Sequence, residues 1–525
     1  METRRLALQD ELDARRDAAA RNRMGQFATP ANLAVDILRY AKTCLGKNER
    51  LRFIDPAIGT GAFYSALLQE YSDSRIEAAI GYEIDPHYGR PATKLWEKTG
   101  LEIIMGNFTR ADAPEAPDRY NLLICNPPYV RHHHIDSVEK QRLRSRAQAA
   151  SGVTINGLAG LYCYFLCISH MWMNAGGLAG WLIPSEFMDV KYGIAVKRYL
   201  LDKVTLHHIH RFDPNNVQFS DALVSSAVVW FRNERPRPRH QVRFTYGGTL
   251  EQPMLDRLVP LEKLRREQKW TRFPKGKINE TADGPVLGDF FKVKRGLATG
   301  NNRYFILSAE EIRRRELPMG AFKPILPSPR YVPYDEIEGD RVGNPILKQR
   351  LFLLDPPWTE SEVKKRYPNL WTYLEEGKAE GVADRYICRH RALWYRQESR
   401  PPAPFVCTYL GRSDRKSGRP FRFILNNSKA TAANVYLMLY PKEPINRVIQ
   451  EKPLLKRQVW KFLNEISPQV MLGEGRVYGG GLHKLEPKEL ANVPAEAIAG
   501  LFPESARPNR AKQADLFDKT TTHRL

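Results

Sequence analysis

Nothing in this 525-residue sequence pairs cysteines at the spacing of a zinc ribbon or a redox motif. The six cysteines lie scattered, and Cys163 and Cys167, one helical turn apart in an apolar stretch, read as buried thiols. A disulfide-stapled or metal-built fold is therefore not expected. Long apolar runs are also missing, so no segment is long enough to cross a bilayer. The opening METRRLALQDELDARRD is charged where a signal peptide would carry an apolar core. The expectation is a cytoplasmic chain with no membrane partner. There is no internal repeat and no low-complexity block.

What is present is length, positive charge and alternation. The chain is too long for one core, which predicts two or three domains. The net charge of +22 is uneven: residues 1–230 carry 27 Lys and Arg against 25 Asp and Glu, and the remainder carries 54 against 34. A near-neutral front half and a basic back half suggest a catalytic module joined to one that binds a polyanion. The bland alternative is a basic, partnerless surface.

In the front half, strand-like runs at 51–55, 78–84, 101–106, 120–125, 178–183, 204–210 and 225–231 alternate with helical patterns at 31–45, 61–71 and 87–98. That order predicts an α/β fold with a largely parallel sheet. The apolar stretch 158–177 reads as a buried helix on that sheet. After residue 231 the alternation stops, and the Pro- and Arg-rich NERPRPRHQVR (233–243) reads as a crossover or linker.

Three consecutive strands end in residues suited to a nucleoside. FIDPAIGTGAF (53–63) sets Asp55 and a Gly-x-Gly between a strand and a helix, where glycines let backbone amides approach a ligand. Glu83 in GYEID ends the next strand, where an acid can take both ribose hydroxyls. GNF (106–108) ends the third, where Asn107 can bond an adenine edge and Phe108 can stack on the ring. A dinucleotide enzyme is the first competitor. The turn has no third glycine and no pyrophosphate cradle, so S-adenosylmethionine fits better.

The fourth strand ends in LLICNPPYVRHHHI (122–135), an apolar run halted by Asn126, Pro127, Pro128 and Tyr129. In this order, GQFATP (25–30), DPAIGTGAF, GYEID, GNF, NPPYVR, GLYCYF and WLIPSEF resemble the N6-adenine DNA methyltransferases of restriction–modification systems, gamma class. The resemblance covers nearly all of residues 24–231. It implies a Rossmann-like class I methyltransferase domain over 25–285 after an N-terminal helix or extension (1–24). A C-terminal α+β target-recognition domain (286–500) and a flexible tail (501–525) would follow.

The chemistry suits these residues. An adenine amine is a poor nucleophile because its lone pair is delocalised into the ring. Asn126 Oδ1 and the Pro127 carbonyl can each accept one N–H, and adjacent prolines hold that carbonyl in place. No covalent intermediate is needed, and no Pro-Cys of the cytosine-C5 kind is present; Cys125 reads as core. Reaching a paired base implies base flipping, with Tyr129 stacking on one face and Phe219 on the other, or Phe212 as the alternative. By resemblance, Thr29 approaches the cofactor's methionine end. Asp55, Ala57, Gly59 and Gly61 line the turn, Glu83 takes the ribose, Asn107 with Phe108 holds the adenine, and Ile84 and Asn126 also bind the cofactor. Many relatives carry Asp where Asn107 stands, which puts cofactor affinity in question. His132, His133 and His134 point in different directions, and no metal is expected. Arg131 and the RLRSR run (142–146) are expected to touch phosphates.

KRGLATGNNRYFIL (294–307) resembles the start of a target-recognition region and RVYGGGLHKLEPKELANVP (476–494) its end. These imply DNA contacts from Arg295, Thr299, Asn301 and Asn302. The densest basic clusters between them are RHR (389–391), WYR (394–396) and 412–422. The expected activity is sequence-specific methylation of adenine N6 in double-stranded DNA by a monomer, with a restriction endonuclease encoded separately. The same catalytic fold acting on RNA or on a protein glutamine is the alternative. About two dozen residues precede GQFATP, and no PD…ExK constellation is evident, so no nuclease activity is expected.

Overall fold

Strand β1 (Leu51–Asp55) buries Phe53 and Ile54 completely, on opposite faces. Two-sided burial belongs to the centre of a parallel sheet covered by helices on both sides. The computed structural model, which describes residues 1–213, 225–274, 284–412, 419–478 and 482–502, places β1 there. Phe219 and the tail from residue 503 lie outside the described residues. The sheet also contains β2 (Ile76–Glu83), β3 (Leu101–Met105), β4 (Tyr120–Cys125), β5 (Met173–Pro184), β6 (Thr205–Arg211), β7 (Ser226–Arg232), β8 (Gln241–Gly248) and β9 (Pro253–Pro260). Their spatial order is β3-β2-β1-β4-β5-β7-β6-β8-β9. β1 to β5 are parallel, and β7 runs antiparallel between β5 and β6. This is the expected Rossmann-like methyltransferase sheet.

Before the sheet come α1 (Glu2–Ala14) and α2 (Ala18–Met24). The helices that follow are α3 (Ala31–Cys44), α4 (Ala62–Glu70), α5 (Pro86–Trp96), α6 (Ser137–Ser151), α7 (Leu161–Ile168) and α8 (Gly193–Asp202). In α3 the buried Leu33, Ala34, Ile37, Leu38 and Ala41 form one apolar stripe. It packs with α4 and α5 over Phe53, Leu122 and Ile124. α6, α7 and α8 cover the other face, over Ile54, Leu123 and Cys125. Each strand thus feeds both cores in alternation.

One expectation needs correction, and of the two readings of 233–243 the crossover is the one observed. The apolar stretch 158–177 is not one helix: α7 ends at Ile168, and Met173 onward joins β5, paired on both edges. Pairing with β4 from Met173 outweighs the local helical pattern there. Residues 233–243 do not lead out of the domain. They turn the chain back into β8, which pairs parallel to β6, and β9 completes the sheet.

Contacts divide the chain into two compact units, the first over Met1–Ile278 and the second mainly over Asn279–Val477. The second is α+β. Its main sheet contains, in spatial order, Phe291–Arg295, Tyr436–Pro441, Phe405–Thr408, Phe423–Asn426 and Glu336–Ile337. Phe290, Phe291, Phe405, Leu437 and Leu439 lie at its core.

The β6–β8 contact carries a pH dependence. His208 Nε2 and His210 Nδ1 lie 2.6 and 2.8 Å from the same hydroxyl, Thr245 Oγ1, and both rings are fully buried. Burial holds both imidazoles neutral: His208 falls well below its ordinary range and His210 drops to about 4. The unfolded chain takes up protons at these rings below about pH 6.5, and the fold resists them until pH nears 4. The unfolded state therefore binds more protons across that window, and the rings cost stability as pH falls through it. Compared with the parent, His210→Gln should lose about 2 kcal/mol less stability between pH 7 and pH 5. Denaturant titrations at both pH values measure the difference; identical losses would contradict the assignment.

Candidate active site

The carboxyl ends of β3, β2, β1 and β4 lie side by side, where the chain reverses its winding direction. This is the usual crevice of an open α/β sheet. They present Asn107, Glu83, Asp55 and Asn126 in that order. Asp55 is fully buried and accepts a bond from the Ala57 amide at 3.1 Å. Burial pushes its carboxyl up to about 7, and the Glu83 charge adds to the shift while the Ala57 amide and Cys125 thiol oppose it. Glu83 joins two loops: Oε2 accepts from the Gly59 amide at 3.0 Å and Oε1 from the Asp85 amide at 2.7 Å. Burial raises its pKa as well. A carboxylate has about four acceptor sites, so capacity remains for a hydroxyl group.

The two glycines of the turn differ. At Gly61 (φ +89°) a Cβ would come 2.5 Å from Trp96 Nε1, which donates to the Thr60 carbonyl, so this glycine serves packing. At Gly59 (φ +55°) a Cβ would meet nothing within 4 Å. The turn therefore faces open space at that point, and Ile84 beyond Glu83 is 58% exposed.

The β3 corner departs from expectation. Phe108 is 1% exposed, enclosed by Tyr82, Phe165 and Trp172 with ring centroids 5.0–5.6 Å away. It packs the core here and offers no free face to a purine. Asn107 Oδ1 accepts from the Thr109 amide at 2.9 Å and hydroxyl at 2.8 Å, capping a short turn. Arg142 of α6 donates to the Thr109 carbonyl and hydroxyl, each at 2.8 Å, and Arg146 to the Ala111 carbonyl at 2.6 Å. Two arginines of the RLRSR run thus brace this loop instead of reaching outward, whereas Arg144 and Arg131 are exposed. His132–His134 form a single short turn.

The Asn126 side chain is held by a segment that motif spacing did not connect to it. Its Nδ2 donates to the Phe27 carbonyl and to Thr29 Oγ1, both at 3.0 Å. Both amide hydrogens are used, so the orientation of the amide is fixed. Oδ1 is buried and has no hydrogen-bond partner among the described residues. An unpaired buried acceptor costs about 1–3 kcal/mol, a penalty seldom retained without a role. The Tyr129 amide donates to the Gly25 carbonyl at 3.1 Å, its hydroxyl to the Leu182 carbonyl at 3.0 Å, and its ring lies 5.6 Å from Phe27. Residues 25–29 therefore clamp the NPPY segment along its length. Thr29, expected at the cofactor, is tied to Asn126. GQFATP was visible in sequence, but the Gly25 and Phe27 carbonyls are backbone groups with no residue signature.

Of the remaining expected residues, Phe212 is buried beside His210, packing the core. In the second unit Thr299 is 1% exposed and donates to Asn302 Oδ1 at 2.6 Å, so it shapes a turn and presents no hydroxyl outward. The Asn301 amide donates to Thr299 Oγ1 at 3.1 Å. Arg295 is exposed, stacked 4.1 Å over the Tyr409 ring, with Nε on the Asn434 carbonyl at 3.2 Å.

A family model described as Eco57I restriction-modification methylase matches residues 72–218, and one described as the C-terminal domain of Type II methyltransferase M.Eco57I matches residues 276–521. The chain is 27% identical over 487 residues to Type II methyltransferase M.XamI of Xanthomonas campestris pv. amaranthicola, covering 91% of this chain and 86% of that protein. It is 24% identical over 491 residues to Type II methyltransferase M.AccI of Acinetobacter calcoaceticus, covering 90% and 85%. By these two family models and these relatives the chain is similar to the Type II restriction–modification methyltransferases. Among solved structures, the Type IIL enzyme MmeI in complex with DNA shares the fold with a TM-score of 0.52 at 13% identity, covering 85% of this chain and 66% of that one. This fold and these relatives imply S-adenosylmethionine as the cofactor. The residues present fit that group: Glu83 has acceptor capacity for a ribose hydroxyl, the Gly59 turn faces open space, and Ile84 offers an exposed apolar side chain. No helix among the described residues is long and apolar enough to cross a membrane.

Proposed function

We propose that this chain methylates the N6 amine of an adenine in double-stranded DNA, at a sequence selected by its second unit, as the modification half of a restriction–modification pair. The observation that carries the reading is the locked Asn126 amide. With Nδ2 spent on Phe27 and Thr29, the group can act toward a substrate only as an acceptor, through an oxygen that has no partner among the described residues.

An exocyclic amine needs such a site. Accepting one N–H at Asn126 Oδ1 and the other at the Pro127 carbonyl draws electron density back to nitrogen and turns its lone pair out of the ring plane. Because the acceptors are fixed before the substrate arrives, little reorganisation remains to be done. Oδ1 is closed to solvent in this state, so the side chains over it must part to admit a base. The base must also leave the helical stack, and Tyr129, buried in this state beside Phe27, is the aromatic proposed to stack on it once the side chains part. S-adenosylmethionine, when bound, supplies the electrophilic methyl group. Asp55, Glu83 and Ile84 are the residues to hold it.

DNA is favoured over RNA or a protein amide by the basic second unit and by the company of named Type II methyltransferases. Exposed Arg131, Arg295 and Asn302 are the expected contacts to DNA. The test is expression in a methylation-free host followed by modification-sensitive genome sequencing. One short motif, marked throughout at adenine, is the expected result. Unmarked DNA beside labelled RNA or protein would move the activity to the alternative substrate.

A further inference from the structure

The N-terminal segment touches the three loops of the site in turn. In α1, Arg5 is 1% exposed and donates to Thr60 Oγ1 at 3.1 Å, inside the Gly-x-Gly turn, while Glu2 neutralises it at 2.6 Å. The Thr60 hydroxyl in turn donates to Gln9 Oε1 at 2.6 Å. Further along, the Leu12 carbonyl lies 2.9 Å from His87 Nε2, and Asp13 accepts from the Tyr88 hydroxyl at 2.8 Å. Arg16 pairs with Asp85 at 2.6 Å, and Gln26 donates to the same carboxylate at 2.8 Å. Asp85 also caps α5, and its amide holds Glu83. Gly25, Phe27 and Thr29 then clamp the NPPY segment.

We infer that residues 2–29 are one strap that fixes the glycine turn, the Glu83 corner and the acceptor amide in mutual register. Arg5, Gln9 and Asp85 act as positioning residues for the cofactor. The inference rests on the methyltransferase reading above. Its physical basis is the burial of Arg5. A guanidinium is placed in a dry site only where its donors are satisfied, and here one of those donors is spent on the turn itself. The Gly59 amide, whose bond to Glu83 joins the turn to the acid corner, is thereby held from both sides.

The test is a double-mutant cycle of Arg5→Met and Thr60→Val, read by calorimetric titration with S-adenosylmethionine. Each single change should weaken binding about tenfold, and the pair should do little more than either alone, because both remove the same link. In Arg5→Met the loss should fall on the cofactor KM and not on kcat. Thr60→Val keeps the side-chain volume, so it carries the test if Arg5→Met does not fold. Unchanged affinity in a folded Thr60→Val protein, or a hundredfold additive loss in the pair, would overturn the strap alone. A parent protein that binds no S-adenosylmethionine would overturn the methyltransferase reading and the strap with it.

Discussion

Replacing Asn126 with alanine should leave a folded protein that binds S-adenosylmethionine like its parent and transfers methyl groups about 100- to 1,000-fold more slowly, the range seen when one pre-positioned hydrogen-bonding group is removed from a reacting centre. The change removes Oδ1, which no described residue bonds, so stability should not suffer from its loss. Alanine also leaves the Phe27 carbonyl and Thr29 hydroxyl without their donor, at a cost of about 1–3 kcal/mol in stability for acceptors that stay dry. Asn126→Asp should not rescue activity. A carboxylate has no hydrogen to give either acceptor, so the side chain would turn away from Phe27. Single-turnover rates on unmodified DNA, beside calorimetric cofactor affinities, separate these effects. Turnover within threefold of the parent would remove Asn126 from the chemistry.

Gly25→Ala should be nearly as damaging, although Gly25 has no side chain and no chemistry. Its φ of +68° ends α2 in the left-handed region, where alanine costs about 1–2 kcal/mol. The larger effect is steric. A Cβ built there lies 2.4 Å from the Tyr129 nitrogen and 2.7 Å from the Tyr129 carbonyl carbon and the Val130 nitrogen. These are backbone atoms of the segment that places Asn126, and the contact can be relieved only by moving that segment or the clamp. A shift of about 1 Å at a reacting group can cost roughly 100-fold in rate. The expected signature is a kcat loss of about that size with a smaller change in cofactor KM. A thermal melt verifies that the protein remains folded. A parental kcat would show that residues 25–29 do not set the position of the NPPY segment.

The motif residues were legible because each is defined by a side chain at a strand end. Asp55, Glu83, Asn107 and Asn126 all fall at the four parallel strand ends where spacing put them. Three kinds of feature were not legible. Phe108 sits where a stacking aromatic was expected, but Tyr82, Phe165 and Trp172 meet around it, and only the packed fold decides whether an aromatic faces a cleft or a core. Arg142 and Arg146 looked like phosphate ligands until α6 turned them onto the β3 loop. The start of β5 at Met173 followed from pairing with Tyr120 of β4, which no local window contains.

By itself the sequence determined the type of sheet, the order of its loops and which side chains stand at the strand ends, Asn126 among them. These follow from hydrophobic periodicity and from residues rigid or polar enough to be read one at a time. The tertiary structure decided which way the Asn126 amide faces, since that depends on a carbonyl at Phe27 and a hydroxyl at Thr29, 99 and 97 positions away. A backbone carbonyl is the same at every residue, so its use as an anchor leaves no trace until the chain has folded around it.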